Sequence, residues 1–245
     1  YMLTRLKENG NLPENAAVIK TIVTTELQSA IADDFGCKIF DVLTGFKWIG
    51  SMMRTFDETG EYKFIFGGEE SYGYLPVNFV RDKDAIGSCY FFCEMADWLK
   101  SNGKTLSSFL DEIYIKYGFY LEDLLSLTFE GKEGMEKIGK IMKNFRENAP
   151  EDFAGVKVER IDDINSLERI YPVSGRREII MDLPNSNVLQ YLLEDGTKIT
   201  MRPSGTEPKI KFYFSANSKD SDLNASKAAV KTKLEKFKKT LNDMV

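Results

Sequence analysis

Three times in its first half the chain passes from a β-branched, apolar run into a stretch with helical spacing. Ala17-Val-Ile-Lys-Thr-Ile-Val23 reads as a strand, and Thr25-Glu-Leu-Gln28 fits a capping box that opens a helix with Leu27, Ile31 and Phe35 turned inward. Gly36 stops that helix, Lys38-Ile-Phe-Asp-Val-Leu43 reads as the second strand, and Thr44-Gly45 ends it before a helical stretch around Trp48 to Met53. Tyr62-Lys-Phe-Ile-Phe66 is the third strand, with a glycine-rich exit. Asp84 then caps a long helix carrying Ile86, Tyr90, Cys93 and Leu99, closed by Asn102-Gly103. Strands alternating with helices imply a largely parallel sheet covered by helices. In such sheets ligands gather beyond the carboxyl ends of the strands, which here are Thr44-Gly45 and the turn Gly67-Gly-Glu-Glu-Ser-Tyr-Gly73.

The pattern changes after Tyr117-Gly118. A strand with Leu125, Leu127 and Phe129 alternating leads to a helix with Met135, Ile138, Met142 and Phe145 inward, and Pro150 marks the break that follows. Val156-Lys-Val158, Glu178-Ile-Ile-Met181 and a hairpin, Val188 to Leu193 with Lys198 to Met201 through Asp195-Gly196, read as short antiparallel strands. Lys209-Ile-Lys-Phe-Tyr-Phe214 precedes a closing helix with Leu234, Phe237 and Leu241 inward. The expected fold class is an α/β domain with a mostly parallel, mixed sheet, followed by a smaller α+β domain with an antiparallel sheet. Residues 1–117 are assigned to the first and 118–245 to the second.

Composition removes several classes of function. With 42% hydrophobic residues and 29% charged, the chain is that of a soluble globular protein, and no apolar run approaches the roughly 18 residues that span a bilayer. A formal charge of -5 gives no global attraction to nucleic acid, so an anion must be held by a local basic cluster. Three cysteines, Cys37, Cys89 and Cys93, fit a reducing, cytoplasmic compartment with buried thiols. Histidine is absent, which removes the commonest general base and the imidazole-metal sites. The chain opens at Tyr1 inside a helix-like run, with no signal-peptide pattern, and the expectation is a piece of something longer.

Three clusters could carry chemistry. In Met201-Arg-Pro-Ser-Gly-Thr-Glu-Pro208, between two strands, Arg202 offers a planar fork matched to phosphate oxygens. Ser204 and Thr206 add hydroxyl donors, Gly205 lets main-chain N–H groups approach an anion, and Lys209 adds charge at the same mouth. The plain alternative is a Pro/Gly turn whose hydroxyls satisfy their own backbone. In the turn after the third strand, Glu69 and Ser71 can exchange hydrogen bonds with sugar hydroxyls, and Gly68 allows a ligand close to the backbone. A metal there is the weaker reading, because hard cations take more oxygen ligands than one short turn supplies. In Leu43-Thr-Gly-Phe-Lys-Trp-Ile-Gly50, Thr44, Gly45 and Lys47 could face the same crevice, although Phe46, Trp48 and Ile49 equally suit a helix start packed on the sheet.

Taken together, GGEESYG resembles the sugar-binding loop of the α-D-phosphohexomutases, TGFKWIG their second sugar-contacting loop, and RPSGTEPKIKFYF their phosphate-binding loop, in matching order and spacing. VRDKDAIGS, which contains Lys83, is similar to the family's lysine-aspartate segment, and VIKTIVTTEL to the opening of its third domain. The resemblance implies the third and fourth domains of a phosphoglucomutase or phosphomannomutase, with a phosphopentomutase branch close by. It further implies phosphoryl transfer between the C1 and C6 oxygens of a hexose phosphate through a hexose 1,6-bisphosphate. Arg202, Ser204, Gly205, Thr206 and Lys209 would then hold phosphate, and Thr44, Gly45, Lys47, Gly68, Glu69, Ser71 and Lys83 the sugar. The family's phosphorylated serine loop and its magnesium loop do not occur in this sequence, so catalytic residues and the Mg2+ site are expected in further amino-terminal domains. The competing expectation is a non-catalytic module that senses sugar phosphates.

Overall fold

The computed structural model describes residues 1–205 and 207–245, with position 132 described by its backbone alone. The chain divides into two compact units, Tyr1–Gly118 and Phe119–Val245. The first runs α1 (Met2–Glu8), β1 (Ala16–Thr21), α2 (Leu27–Asp34), β2 (Lys38–Val42), α3 (Phe46–Thr59), β3 (Lys63–Glu69), β4 (Gly73–Leu75), α4 (Ala85–Ser101) and α5 (Leu106–Tyr117). Its sheet has the order β2-β1-β3-β4. β1 lies parallel to β2 and β3, and β4 returns antiparallel along β3.

Every residue of β1 is buried, because helices cover this central strand on both sides. Ala17 and Ile19 pack with Phe46, Ile49, Met53 and Phe56 of α3, whereas Ala16 and Val18 pack with Ala32 of α2 and with Cys37. A strand covered on both faces is written as a near-continuous apolar run, here Ala16 to Ile19, and the buried Lys20 and Thr21 that end it need polar partners. Gly67 lets α3 approach β3, since a Cβ there would stand 2.8 Å from Ile49 Cγ2.

Parts of this unit differ from expectation. The capping box does not form: Thr25 Oγ1 accepts from Leu27 N at 3.2 Å, and α2 starts with Glu26 as its N-cap and no capping side chain. Leu27, Ile31 and Phe35 are half-buried, and only Ala32 of α2 is buried. Asp84 does cap α4, accepting from Gly87 N at 2.9 Å. Yet Ile86 is 86% and Tyr90 65% exposed, Cys93 is exposed too, and only Leu99 of that helix is buried. Apolar periodicity marks a face; it does not say what covers it. Since Cys89 is exposed as well, the expected buried thiol exists at Cys37 alone.

The second unit comprises β5 (Phe119–Thr128), α6 (Gly131–Glu147), β6 (Asp152–Phe153), β7 (Val156–Asp163), β8 (Glu168–Tyr171), β9 (Arg176–Ile179), β10 (Leu189–Leu193), β11 (Lys198–Pro203), β12 (Lys209–Ser218) and α7 (Leu223–Met244). Its antiparallel sheet has the order β5-β12-β11-β10-β7-β8-β9, with β6 pairing β7. α7 packs on β12 and β5, burying Ser226, Val230, Leu234, Phe237 and Leu241 at helical spacing. α6 buries Ile138, Ile141, Met142 and Phe145, while Met135, expected inward, is 48% exposed. Gly134 takes the inward position there, so near the chain that a Cβ would lie 2.6 Å from the Phe129 carbonyl oxygen. Among the described residues no helix is long and apolar enough to cross a membrane.

Candidate functional site

In the first unit the sequence Gly67-Gly-Glu-Glu-Ser-Tyr-Gly73 folds as a hairpin. β3 continues through Gly67 and Gly68 to Glu69, turns through Glu70, Ser71 and Tyr72, and returns as β4 with Glu69 opposite Gly73. Glu69 is only 8% exposed, which is low for a carboxylate. Gly73 makes room for it, since a Cβ on Gly73 would stand 2.7 Å from both Cγ and Oε1 of Glu69. Gly68 lies inside β3, where an added Cβ would come 3.2 Å from the Phe66 ring. Ser71 is exposed in the turn.

Lys83 reaches this carboxylate from a different segment. Its Nζ is 3.7 Å from Glu69 Oε1 and 5.4 Å from the centroid of the Phe46 ring. The lysine side chain is 55% exposed, so the pair contributes at most ~1 kcal/mol to stability and its charge stays accessible. Lys83 is positioned by its neighbours. Asp84 N donates to Tyr74 O at 2.8 Å, and Arg81 pairs with Asp57 of α3. Gly50 of α3 lies so close that a Cβ would stand 2.5 Å from the Arg81 carbonyl oxygen.

Phe46, under Lys83, is the first residue of α3 and follows Thr44 and Gly45 directly; Gly45 turns the chain with φ +114°, a left-handed value that favours glycine. Three separate segments therefore meet at the Glu69–Lys83–Phe46 group. Lys47 is exposed and sits instead over its own neighbour, with Nζ 4.9 Å from the Trp48 ring centroid.

Sequence reasoning left two parts of this end of the sheet without a role. Glu70 accepts from Thr21 Oγ1 at 3.2 Å, and Thr21 Oγ1 is 2.8 Å from Thr24 Oγ1, which ties the hairpin to the end of β1. Lys20, fully buried, is 2.6 Å from Asp41 Oδ1 and 3.1 Å from Glu26 Oε1. Burial pulls the Lys20 ammonium down, but Asp41 and Glu26, by charge and hydrogen bond, outweigh it and hold its pKa above the ordinary lysine value. A lysine inside an apolar strand signals a buried ion pair. Its partners, Glu26 and Asp41, have no spacing that would have named them.

In the second unit the arginine-bearing segment that begins at Arg202 connects β11 to β12. Arg202 pairs in register with Lys211, and Pro203 with Ile210. The base of the loop closes on itself: Ser204 N donates to Lys209 O at 2.8 Å, and Glu207 N donates to Ser204 Oγ at 3.3 Å. Lys209 Nζ pairs with Glu207 Oε1 at 3.1 Å, so its charge is partly offset. Arg202 is half-buried, and it forms no ion pair among the described residues. A Cβ at Gly205 would meet nothing within 4 Å, and the backbone there is not left-handed, so the fold itself does not require glycine. Thr206 lies outside the described residues.

Among the described residues no group of three or more His, Cys, Asp or Glu side chains is gathered as a metal ion would need.

Comparison with known proteins covers both units. The α/β/α domain III of the phosphoglucomutase/phosphomannomutase family matches residues 1–117, and the C-terminal domain of the same family matches residues 130–233. A phosphoglucomutase of Staphylococcus haemolyticus (strain JCSC1435) is 41% identical over 216 residues, 88% of this chain and 39% of the relative. One of Staphylococcus aureus (strain MRSA252) is 40% identical over 223 residues, 91% of this chain and 40% of the relative. The chain thus spans about 40% of the length of these curated relatives. Among solved structures, the open form of the Paramecium phosphoprotein pp63/parafusin, a phosphoglucomutase, aligns with TM-score 0.60 at 21% identity, over 97% of this chain and 40% of its own. A phosphoglucomutase/phosphomannomutase family protein of Burkholderia thailandensis aligns with TM-score 0.56 at 17% identity, over 99% of this chain and 40% of its own. At those identities the structural likeness speaks for the fold alone.

Proposed function

The chain belongs to the phosphoglucomutase/phosphomannomutase family, and from that premise we propose that it is the substrate-recognition part of a phosphohexomutase interconverting hexose 1-phosphate and hexose 6-phosphate. Glucose is the hexose proposed, because the relatives at 40–41% identity are named phosphoglucomutases. The observation that carries the proposal is the meeting of three separate segments at Glu69, Lys83 and Phe46, in a unit that matches the family's domain III throughout.

The chemistry asked of these residues is binding and orientation. A bisphosphorylated sugar that transfers its phosphoryl group from either end must be held in two orientations, so its distant phosphate needs a strong anchor. Arg202 is suited to that, because charge-assisted bonds to phosphate are roughly twice as strong as neutral ones and a guanidinium makes two in parallel. Ser204 adds a hydroxyl, Gly205 leaves the backbone open to the anion, and Lys209 and Thr206 complete the proposed anchor. Glu69 accepts from sugar hydroxyls, Ser71 donates to or accepts from them, and Lys83, beside Glu69, donates to a hydroxyl or a phosphate oxygen. Thr44, Gly45, Lys47 and Gly68 form the proposed wall. The phosphoryl donor and its magnesium are assigned to amino-terminal domains of the longer protein. Three free cysteines support a cytoplasmic setting.

The test is titration of the chain with glucose 1-phosphate, followed by NMR shifts, beside an Arg202→Ala variant. The parent is expected to bind weakly and to convert nothing to glucose 6-phosphate. Arg202→Ala is expected to lose at least about tenfold in affinity while keeping its fold. Equal affinity of variant and parent would refute the anchor, and turnover by the chain alone would refute the division of labour.

A further inference from the structure

Tyr72 is placed where neither conformation nor packing calls for a tyrosine. It closes the three-residue turn between β3 and β4, with φ +63°, the left-handed position of such hairpins that glycine normally takes. A side chain with a Cβ is strained there, and among the described residues ten glycines hold positive φ while only Tyr72, Ala154 and Leu167 do so without being glycine. Ala154 is small and Leu167 is half-buried, whereas Tyr72 is 87% exposed. Its ring therefore regains almost nothing by burial within the unit. Tyr72 follows Ser71 in the turn, both exposed, at the end of the hairpin whose first strand delivers the buried carboxylate of Glu69.

We infer that Tyr72 is a further sugar-contacting residue, laying its ring against the C–H face of the hexose while Glu69 and Ser71 bind its hydroxyls; this rests on the reading of those two residues given above. An aromatic face suits a pyranose ring because one side of the sugar presents mostly C–H groups, and contact with them removes apolar surface from water. The strain and the exposure then have one explanation: the ring is kept for the ligand. The residue adds selectivity for a sugar phosphate over phosphate itself.

The experiment compares the parent, Tyr72→Gly and Tyr72→Phe by NMR titration with glucose 1-phosphate and, separately, inorganic phosphate, with urea unfolding of each. Tyr72→Gly is expected to be at least as stable as the parent and to bind glucose 1-phosphate about tenfold more weakly, with inorganic phosphate binding unchanged. Tyr72→Phe is expected to bind as the parent does. A glycine variant that binds glucose 1-phosphate like the parent overturns the inference and leaves the sugar site standing. A parent that binds inorganic phosphate but not glucose 1-phosphate overturns both.

Discussion

Replacing Asp41 by Asn is expected to destabilise the first unit more than replacing Lys20 by Met, although Lys20 is the buried member of the pair. Lys20 is fully buried, whereas the side chains of Asp41 and Glu26 are 46% and 33% exposed. Removing the lysine releases two carboxylates that water can already reach, and Met fills the vacated volume with apolar atoms, so the loss is about 1 kcal/mol. Removing the charge of Asp41 leaves a buried ammonium with Glu26 alone. Breaking a fully buried pair costs about 3–5 kcal/mol, and the remaining partner reduces that to about 2–3 kcal/mol here. Both tryptophans, Trp48 and Trp98, lie in the first unit, so urea unfolding followed by tryptophan fluorescence reads it directly. The pH dependence has a fixed sign. Because the folded pKa of Lys20 is raised, its contribution is fully present below the ordinary value of 10.5 and is lost as pH climbs through the higher folded value. The difference between the parent and Lys20→Met should accordingly stay level from neutral pH to about 10 and shrink above it. A larger loss for Lys20→Met than for Asp41→Asn would refute the argument.

Two glycines give predictions of opposite character. Gly73→Ala pushes a Cβ to 2.7 Å from Glu69, so it is expected to cost about 1–3 kcal/mol in urea unfolding and to weaken glucose 1-phosphate binding by displacing the carboxylate. Unchanged binding with a lowered midpoint would separate Glu69 from the ligand. Gly205→Ala enters open space, so its stability is expected to move by less than about 0.5 kcal/mol while phosphate affinity falls several-fold. Unchanged affinity would mean that the anion does not approach the backbone at Gly205.

The elements that could be read in the sequence are those whose covering is complete. β1, enclosed between α3 and α2, is apolar from Ala16 to Ile19, and α7 repeats Val230, Leu234, Phe237 and Leu241 at helical spacing over a sheet of its own unit. The exit of β3 was harder. Gly67 and Gly68 look like turn residues, yet they pair with Ile19 and Lys20 of β1 and with Leu75 and Tyr74 of β4, so the strand continues to Glu69. At Gly67 glycine answers to the nearness of Ile49 of α3, which is a tertiary cause and invisible locally. The same holds for α4, whose Ile86 and Tyr90 have the right spacing for a core and no core above them. β6 and β8 are too short to leave a pattern. Of the candidate residues, Glu69, next to Gly68 in the first unit, and Arg202, three positions before Gly205 in the second, could be singled out by residue type near glycine. Lys83 could be singled out only by resemblance, because its distance from Glu69 is set by the clamp of Arg81 on Asp57 and Gly50.

The three thiols give the first unit a chemical clock. Cys89 and Cys93 stand exposed on α4, while Cys37 is 4% exposed among Ala16, Val18 and Ala32, and burial raises its pKa against the opposing charge of Lys7. A thiol reagent would consume two equivalents at once and reach the third only when the layer between β1 and α2 parts. The lag before that last equivalent times how often the strand that ends at Thr21, and so supports Glu70, lets go of its helix.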